Sequence, residues 1–445
     1  MNSKDALGAW IEGQSVGTLF YAADTGQFDF EYDAVWASSR HTYPLAPPLP
    51  FERPPEEADA IRSGRVRRFF ENLLPEGDAL EDAARAYKLS RTNLMGLMRV
   101  LGRESAGALC LVPAGTQPAD VSTTRREISR EELSERIRER AQIPFSVWDG
   151  RVRMSIAGLQ DKVAVYRDDE GRIFLVEGAL ASTHLLKPAP RSEKLPHLVA
   201  NEHFCMRLAG EVGVRAAGVE IMRVPEPLLV VTRFDRVRDA GRVRRIHIVD
   251  GCQALDLPPA YKYEHNLGSG RDVAHVRDGA SYERLFALTR LAVSEAAARM
   301  ALLRWSLFQF LIGNSDAHGK NISFFMRPRG LEVAPAYDLV SVYAYDHFET
   351  EPAMAIGDTF DLEHVQPYDW ADFAKRCGIE ARLMAREMRR LAATAPEKAR
   401  ALLEWEGYAD DERDFLGKVV NFVSRQAERL RAHAAEVPKI RREDL

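Results

Sequence analysis

Between residues 6 and 32 apolar and polar positions alternate in short runs, AWIEG, VGTLFYA and FDFEY, interrupted by glycine and by Asp-Thr-Gly. A period of two with turn residues between the runs predicts an antiparallel meander. A proline-rich connector, TYPLAPPLPFERPPEE, follows. Phe69, Phe70, Leu73 and Leu74 then recur at helical spacing before Pro75 and Gly77, and two further amphipathic helices are predicted over 79–87 and 92–101. Breakers and small polar residues over 112–124 mark a boundary or linker, and a charged helix is expected near 130–140. The pattern then returns to strands, KVAVYRD, RIFLVEG and THLLK, with a helix over 195–212 before GVEIMRV and LLVVTRF. That order reads as a small sheet with a helix against it. From Ser281 onward apolar residues recur at i, i+3 and i+4, so the last third is predicted helical, with one hairpin over NISFFMRPRGLEVAP.

Composition narrows the class. The 445 residues leave room for two or three domains, and 46% apolar with 29% charged residues is the make-up of an ordinary globular protein. With 61 basic and 66 acidic side chains the net charge is −5, which argues against holding nucleic acid by bulk electrostatics. The four cysteines are scattered without a C-x-x-C pair and read as reduced thiols. MNSKDALGAW lacks the basic-then-apolar order of a signal peptide, and no run approaches the roughly 20 apolar residues of a membrane helix. The expected location is the cytoplasm, with no membrane partner.

The chemistry concentrates in GNSDAHGKN, which closes the apolar segment beginning near Ala297. Asp316 and Asn321 stand at the interval of the protein-kinase catalytic loop, where the aspartate orients or accepts the proton of the attacking hydroxyl and the asparagine binds metal. Lys320 sits just before the asparagine. A second metal ligand is needed, and Asp338 in APAYDLVSV follows the predicted hairpin as the kinase metal aspartate does, although Tyr337 and Leu339 flank it differently from D-F-G. Upstream, Lys187 ends the strand STHLLK and Glu202 lies in the following helix, the order of the kinase phosphate lysine and its glutamate. SIAGLQDK lies where a phosphate-covering loop belongs, with a single glycine. Taken singly, each feature has a plainer reading: a surface turn for Asp316 and Asn321, a solvated charge for Lys187 and Glu202, a metal pair of a hydrolase for Asp316 with His318. Their joint order favours phosphoryl transfer.

FFENLLPEG, SIAGLQDK, STHLLKP, NEHFCMRLA, RFDR, CQALDLPPAYKYE, GNSDAHGKN and APAYDLVS together resemble the HipA-type serine/threonine kinases, toxins of HipA–HipB modules, over most of the chain. The resemblance implies that Asp316 is catalytic, that Asn321 and Asp338 hold Mg²⁺, and that Lys187 meets the ATP phosphates. Glu202, His318, Lys320 and the loop residues Ala157 and Gly158 join the nucleotide site. It implies that Ser155 is autophosphorylated, which switches the kinase off; a phosphate adds about −1.5 to −2 charge beside a site made for ATP's own phosphates. VVTRFDR becomes the hinge strand with Phe234 near adenine, with Thr232 where the family commonly has Glu. The implied partners are a HipB-like helix-turn-helix antitoxin, operator DNA reached mainly through it, and a protein serine, chiefly in an aminoacyl-tRNA synthetase, whose phosphorylation arrests translation and growth.

The expected architecture is an α+β, two-lobed protein-kinase-like fold with a β-rich N-terminal part, an added N-terminal subdomain and a mostly helical C-terminal lobe. The expected division is an N-terminal subdomain over 1–112, a linker and helix over 113–145, an ATP-binding lobe over 146–236 and a catalytic lobe over 237–445. Two other functions remain open at this point: a catalytically weak corepressor acting with a DNA-binding antitoxin, and a small-molecule kinase.

Overall fold

The structure is a computed structural model that describes residues 5–120, 122–153, 161–178, 180–239, 242–348 and 350–445. The predicted phosphate loop, with Ser155, Ala157 and Gly158, lies outside the described residues. The fold is mixed α and β with a helical C-terminal region, and it divides into two compact units. One comprises Met1–Pro188, Met222–Pro259 and Phe324–Pro328, and the other Ala189–Ile221, Ala260–Ser323 and Arg329–Leu445.

In the first unit the alternating N-terminal runs form a meander. The strands Asp5–Ile11, Gln14–Ala22 and Gln27–Tyr32 pair antiparallel, and Cys110–Pro113 adds to the free side of the first. Every second residue of the first strand, Leu7, Ala9 and Ile11, is buried, as a half-buried sheet requires. The helix Asp59–Glu71 buries Val66, Phe69 and Phe70, while Leu73 and Leu74 fall just beyond its end and are buried in the turn.

A second, six-stranded sheet runs in the order Val219–Arg223, Pro227–Thr232, His184–Pro188, Val163–Arg167, Ile173–Glu177, Thr124–Ile128. Its core packs against the helix Arg130–Glu139 through Leu133 and Ile137, joined by Phe145 and Trp148. Ser129 caps that helix by accepting from the Glu132 N–H at 3.1 Å. The expected partner of this sheet was the helix that interrupts its strands. That helix, Leu198–Glu211, instead clusters with the second unit, where it packs on Ala381–Leu403 and Asp410–Glu436. All but a few of its positions are buried, so it has no solvent face to mark it as a sheet cover.

The RFDR segment closes the first unit electrostatically. Asp235 is gripped by Arg233 at 3.0 and 2.8 Å, by Arg236 at 2.8 Å and by the Gly107 N–H at 2.7 Å. Glu104 accepts from Arg233 at 3.1 Å, Arg236 at 3.2 Å and Ser182 at 2.6 Å, and also meets Arg245. Burial pushes the Glu104 carboxyl up, but Arg245, Arg236 and Arg233 outweigh it and hold the carboxyl down at about 2. Asp235 is likewise held far below the usual carboxylate range by the two arginines against its burial. Residues 104–107, next to the strand Cys110–Pro113, are thereby tied to the end of the strand Pro227–Thr232.

In the second unit the helix Glu295–Ile312 is buried over most of its length, with Trp305, Phe308 and Phe310 among its apolar contacts. Ser294 caps its start, and Gly313 ends it at φ 65°, where an added Cβ would lie 2.6 Å from the Phe422 ring. Pro367–Arg376, Ala381–Leu403 and Asp410–Glu436 complete the helical set. The last third is less helical than its periodicity predicts. Besides the expected strands Gly330–Val333 and Ser323–Arg327, of which residues 324–327 cluster with the first unit, the described residues between 334 and 366 are irregular apart from isolated bridge residues and a short 3₁₀ turn at Val342–Ala344. Their backbone is paired individually instead: Asn201 bonds both the N–H and the C=O of Ser341, at 2.9 and 3.0 Å, and the Ser315 C=O accepts from Ala353 at 2.8 Å.

Asp235→Asn would leave two buried guanidiniums short of a counter-charge. It should cost the first unit about 3–5 kcal/mol in denaturant unfolding, and an unchanged unfolding midpoint would contradict the closure role. Because both carboxylates have folded pKa values below their unfolded ones, their contribution is fully present above pH ~4.5 and is lost as pH falls, that of Glu104 through about 2 and that of Asp235 lower still. An acid titration of the wild type should lose stability in that window, and Asp235→Asn should lose less of it.

Candidate active site

The candidate site of the second unit begins where the buried helix stops. After Gly313 reverses the chain, Asn314 turns inward and is 4% exposed. Its Nδ2 donates to Gln309 Oε1 at 2.9 Å and lies 3.5 Å from the Asp338 carbonyl oxygen, while its Oδ1 accepts the Asp316 N–H at 3.2 Å. One buried amide thus touches the helix end, the loop and the segment after the hairpin.

The loop then folds on the carbonyl oxygen of Asp316, which accepts from the His318 N–H at 2.8 Å and from Asn321 Nδ2 at 2.9 Å. The last bond explains the five-residue interval physically, because a 3₁₀ turn over Gly319–Asn321 returns the Asn321 side chain to the start of the loop. With the amide nitrogen used in this way, the amide oxygen is the atom Asn321 offers to a cation. The Asp316 side chain remains exposed, and its Oδ1 accepts from the Tyr263 hydroxyl at 2.6 Å. The Lys262 carbonyl accepts the Gly319 N–H at 2.8 Å, so residues 262 and 263 clasp the loop from outside.

Asp338 follows the strand Gly330–Val333 and has φ 53°. Left-handed backbone is uncommon for residues other than glycine and costs about 1–3 kcal/mol, with Asp among the more tolerant types. The flanking anchors hold it there. Ala336 donates to the Arg215 carbonyl at 2.8 Å, the Tyr337 hydroxyl donates to the Lys320 carbonyl at 2.7 Å, and Leu339 is fully buried. The three residues read as a set, Asp316, Asn321 and Asp338, therefore come together around Asn314 and Tyr337.

His318 and Lys320 are both buried beside this loop. Burial, with the Lys262 and Lys320 charges, pushes the His318 imidazole well below its usual range, so it is neutral at pH 7. Its ring meets the Tyr263 ring edge-on at 5.2 Å. Among the described residues no group of three His, Cys, Asp or Glu side chains gathers to hold a metal, so the hydrolase reading of Asp316 with His318 finds no cluster. One carboxylate and one amide oxygen suit a different arrangement, a hard cation that draws its remaining ligands from substrate phosphates and water. The donor set of Asp338 and Asn321 fits Mg²⁺ in that way.

Lys187 and Glu202 belong to different units. Lys187 sits on the strand His184–Pro188, opposite Leu229, between Pro227–Thr232 and Val163–Arg167, and is 3% exposed. Glu202, on the helix Leu198–Glu211, is 2% exposed. Neither is the solvated surface charge that its sequence position allows, and such depth is rare for these residue types without partners. Phe234 is half-buried, with its ring perpendicular to Phe325 at 6.0 Å, and Thr232 is exposed at the strand end.

Asn314 and Tyr263 escaped the sequence reading although both lie in segments already singled out, GNSDAHGKN and CQALDLPPAYKYE. A bridging asparagine and a turn asparagine look alike in sequence. Only the fold brings Tyr263 to Asp316.

Residues 7–112 match the family profile described as the HipA N-terminal domain, and residues 154–399 match that described as the HipA-like C-terminal domain. The serine/threonine-protein kinase toxin HipA of Shewanella oneidensis is 38% identical over 426 residues, 95% of each chain. A protein of Sinorhizobium fredii with a provisional kinase name is 34% identical over 89% of this chain and 92% of its own. The fold superposes with a TM-score of 0.87 and 36% identity on the Shewanella HipA solved with HipB and operator DNA, covering 98% of this chain and all of that one. With both domains matched in order and more than a third of its residues shared with a full-length member, the chain belongs to the HipA family.

Proposed function

We propose that this chain is the toxin kinase of a toxin–antitoxin module, moving the γ-phosphoryl group of ATP to a serine of a protein. The observation that supports it most is the pinned loop of Asp316 and Asn321, bonded through Asn314 to the backbone of Asp338. Phosphoryl transfer asks the protein for position and electrostatics, with little covalent chemistry of its own. In this reading the exposed Asp316 carboxylate takes the proton of the acceptor hydroxyl as its oxygen bonds to the γ-phosphorus, and the bond to the β,γ-bridging oxygen breaks with ADP leaving. Asn321 and Asp338 would hold Mg²⁺, which would supply the positive charge that the phosphate oxygens need. Lys187 meets the phosphates, with Glu202, His318 and Lys320 completing the nucleotide site and Phe234 beside adenine. Phosphorylation of Ser155, in the segment with Ala157 and Gly158 that the family resemblance assigns to the nucleotide phosphates, excludes ATP by charge.

The same reading gives the partners. A HipB-like helix-turn-helix antitoxin restrains the toxin and carries it to operator DNA, in keeping with the complex solved for the Shewanella relative. The substrate is a protein serine, chiefly of an aminoacyl-tRNA synthetase, whose modification stops translation and growth. That target belongs to the cytoplasm. No described helix is long and apolar enough to cross a membrane, and none of the four cysteines is in a disulfide.

Purified protein incubated with Mg²⁺ and γ-labelled ATP should gain phosphate on the peptide containing Ser155. Asp316→Asn should slow this roughly 10²–10⁴-fold, the span of a lost general base. Equal labelling of the two proteins would remove the kinase assignment. Expression without antitoxin should arrest growth for the wild type and not for Asp316→Asn, and a harmless wild type would leave the corepressor in its place. Chelating divalent metal should stop labelling, and restored Mg²⁺ should recover it. Labelling that persists in excess chelator would rule out the metal role given to Asn321 and Asp338.

A further inference from the structure

We propose that Tyr263 is a positioning residue for phosphoryl transfer, aiming the Asp316 carboxylate by occupying one of its two oxygens. The proposal rests on the kinase reading of Asp316. The Asp316 backbone is fixed by bonds of its own: the N–H goes to Asn314 Oδ1, and the C=O accepts from His318 and Asn321. Those bonds place the Cα, while the direction of the carboxylate is set by contacts to its own oxygens. The Tyr263 hydroxyl, donating to Oδ1 at 2.6 Å, is such a contact, and its length is that of a charge-assisted O–H···O⁻ bond.

A hydroxyl can aim a carboxylate only if it is itself held. The Tyr263 ring lies edge-on to buried, neutral His318 at 5.2 Å, with the Lys262 ammonium 5.4 Å from its centroid. The backbone on each side is fastened, since the Lys262 C=O accepts from Gly319 and the Glu264 N–H donates to the Ala353 C=O at 2.8 Å. Glu264 is buried and ties off the excursion that follows: its carboxylate accepts the Ala355 N–H at 2.8 Å and Arg277 Nε at 2.7 Å, and its C=O accepts the Gly279 N–H at 3.3 Å. Tyr263 therefore stands at the closed neck of the loop between Glu264 and Gly279, facing the catalytic carboxylate. Misaiming of a reacting group by an ångström is enough to slow a reaction about 100-fold.

The test uses the full-length chain and follows phosphate from γ-labelled ATP into the protein itself across a range of ATP concentrations. Tyr263→Phe keeps the ring and loses the donor. It should lower the maximal rate by about 10–100-fold while the ATP concentration giving half that rate and the melting temperature stay as in the wild type. A merely structural tyrosine would move the melting temperature or ATP saturation instead, and either result with an unchanged maximal rate overturns the proposal. A faster Tyr263→Phe also overturns it, because the hydroxyl would then be blocking the acceptor. As a second pair, Tyr263→Gln retains a donor and Tyr263→Leu has none; both lose the ring, so equal rates for the two would count against aiming by hydrogen bond. Wild-type and Asp316→Asn proteins run alongside separate the two failures. If these label alike, the kinase reading falls and the proposal with it; if only Asp316→Asn is inactive while Tyr263→Phe matches wild type, the positioning role alone falls.

Discussion

A buried asparagine side chain joins the three backbone segments on which the candidate site depends. Asn314 donates to the end of the helix Glu295–Ile312, reaches the carbonyl of Asp338, and accepts the N–H of Asp316. A buried amide that is left unpaired costs about 1–3 kcal/mol per group, so its bonds are restrictive as well as favourable. Gly313 makes the geometry possible, because the left-handed turn brings position 314 back against Gln309 and leaves no room for a Cβ against Phe422 and Tyr343. The polar loop inherits the rigidity of the buried helix, and the acidic residue that remains exposed is Asp316.

The two units solve the problem of buried charge in different ways. In the first, Glu104 and Asp235 are surrounded by Arg233, Arg236 and Arg245, so that two carboxylates are paired by three guanidiniums, with one positive charge in excess, around the backbone of residues 105 and 107. In the second, His318 remains neutral between two buried lysines, and the strain of Asp338 at positive φ is carried by anchors on both of its sides. The first arrangement is a closure of structure. In the proposed reading the second is a site for a polyanion and its metal, where fixed positive charge and oxygen donors stand ready before the ligand arrives.

Much of this was legible in the sequence for identifiable reasons. Alternation with period two gave the N-terminal meander, and a polar cluster directly after a buried helix marked Asp316 and Asn321, since a surface turn has no need of so many functional groups. In the RFDR segment the sequence draws attention to Phe234, yet the charged residues build the interior of the first unit. A run of arginines and aspartate next to a strand does not reveal whether it faces solvent. Sequence order places the helix Leu198–Glu211 with the strands around it, but order stands in for spatial order only until contacts are known. Residues 334–366 carry helical spacing of apolar residues, but their backbone pairs with distant side chains such as Asn201, which local periodicity cannot register. Tyr263 and Asp316, separated by 53 positions, meet only once the fold is formed.

The central claim is that one internally braced loop holds the metal of a bound nucleotide. Its most direct measurement is titration of Mn²⁺ into the full-length protein saturated with a non-hydrolysable ATP analogue, with free ion followed by electron paramagnetic resonance. Asn314→Ala, which removes no metal ligand, should weaken Mn²⁺ binding by about 10–100-fold, as loss of a group orienting the ligands does. Asp338→Asn should weaken it at least as much. Identical Mn²⁺ affinity in Asn314→Ala and wild type would contradict the account.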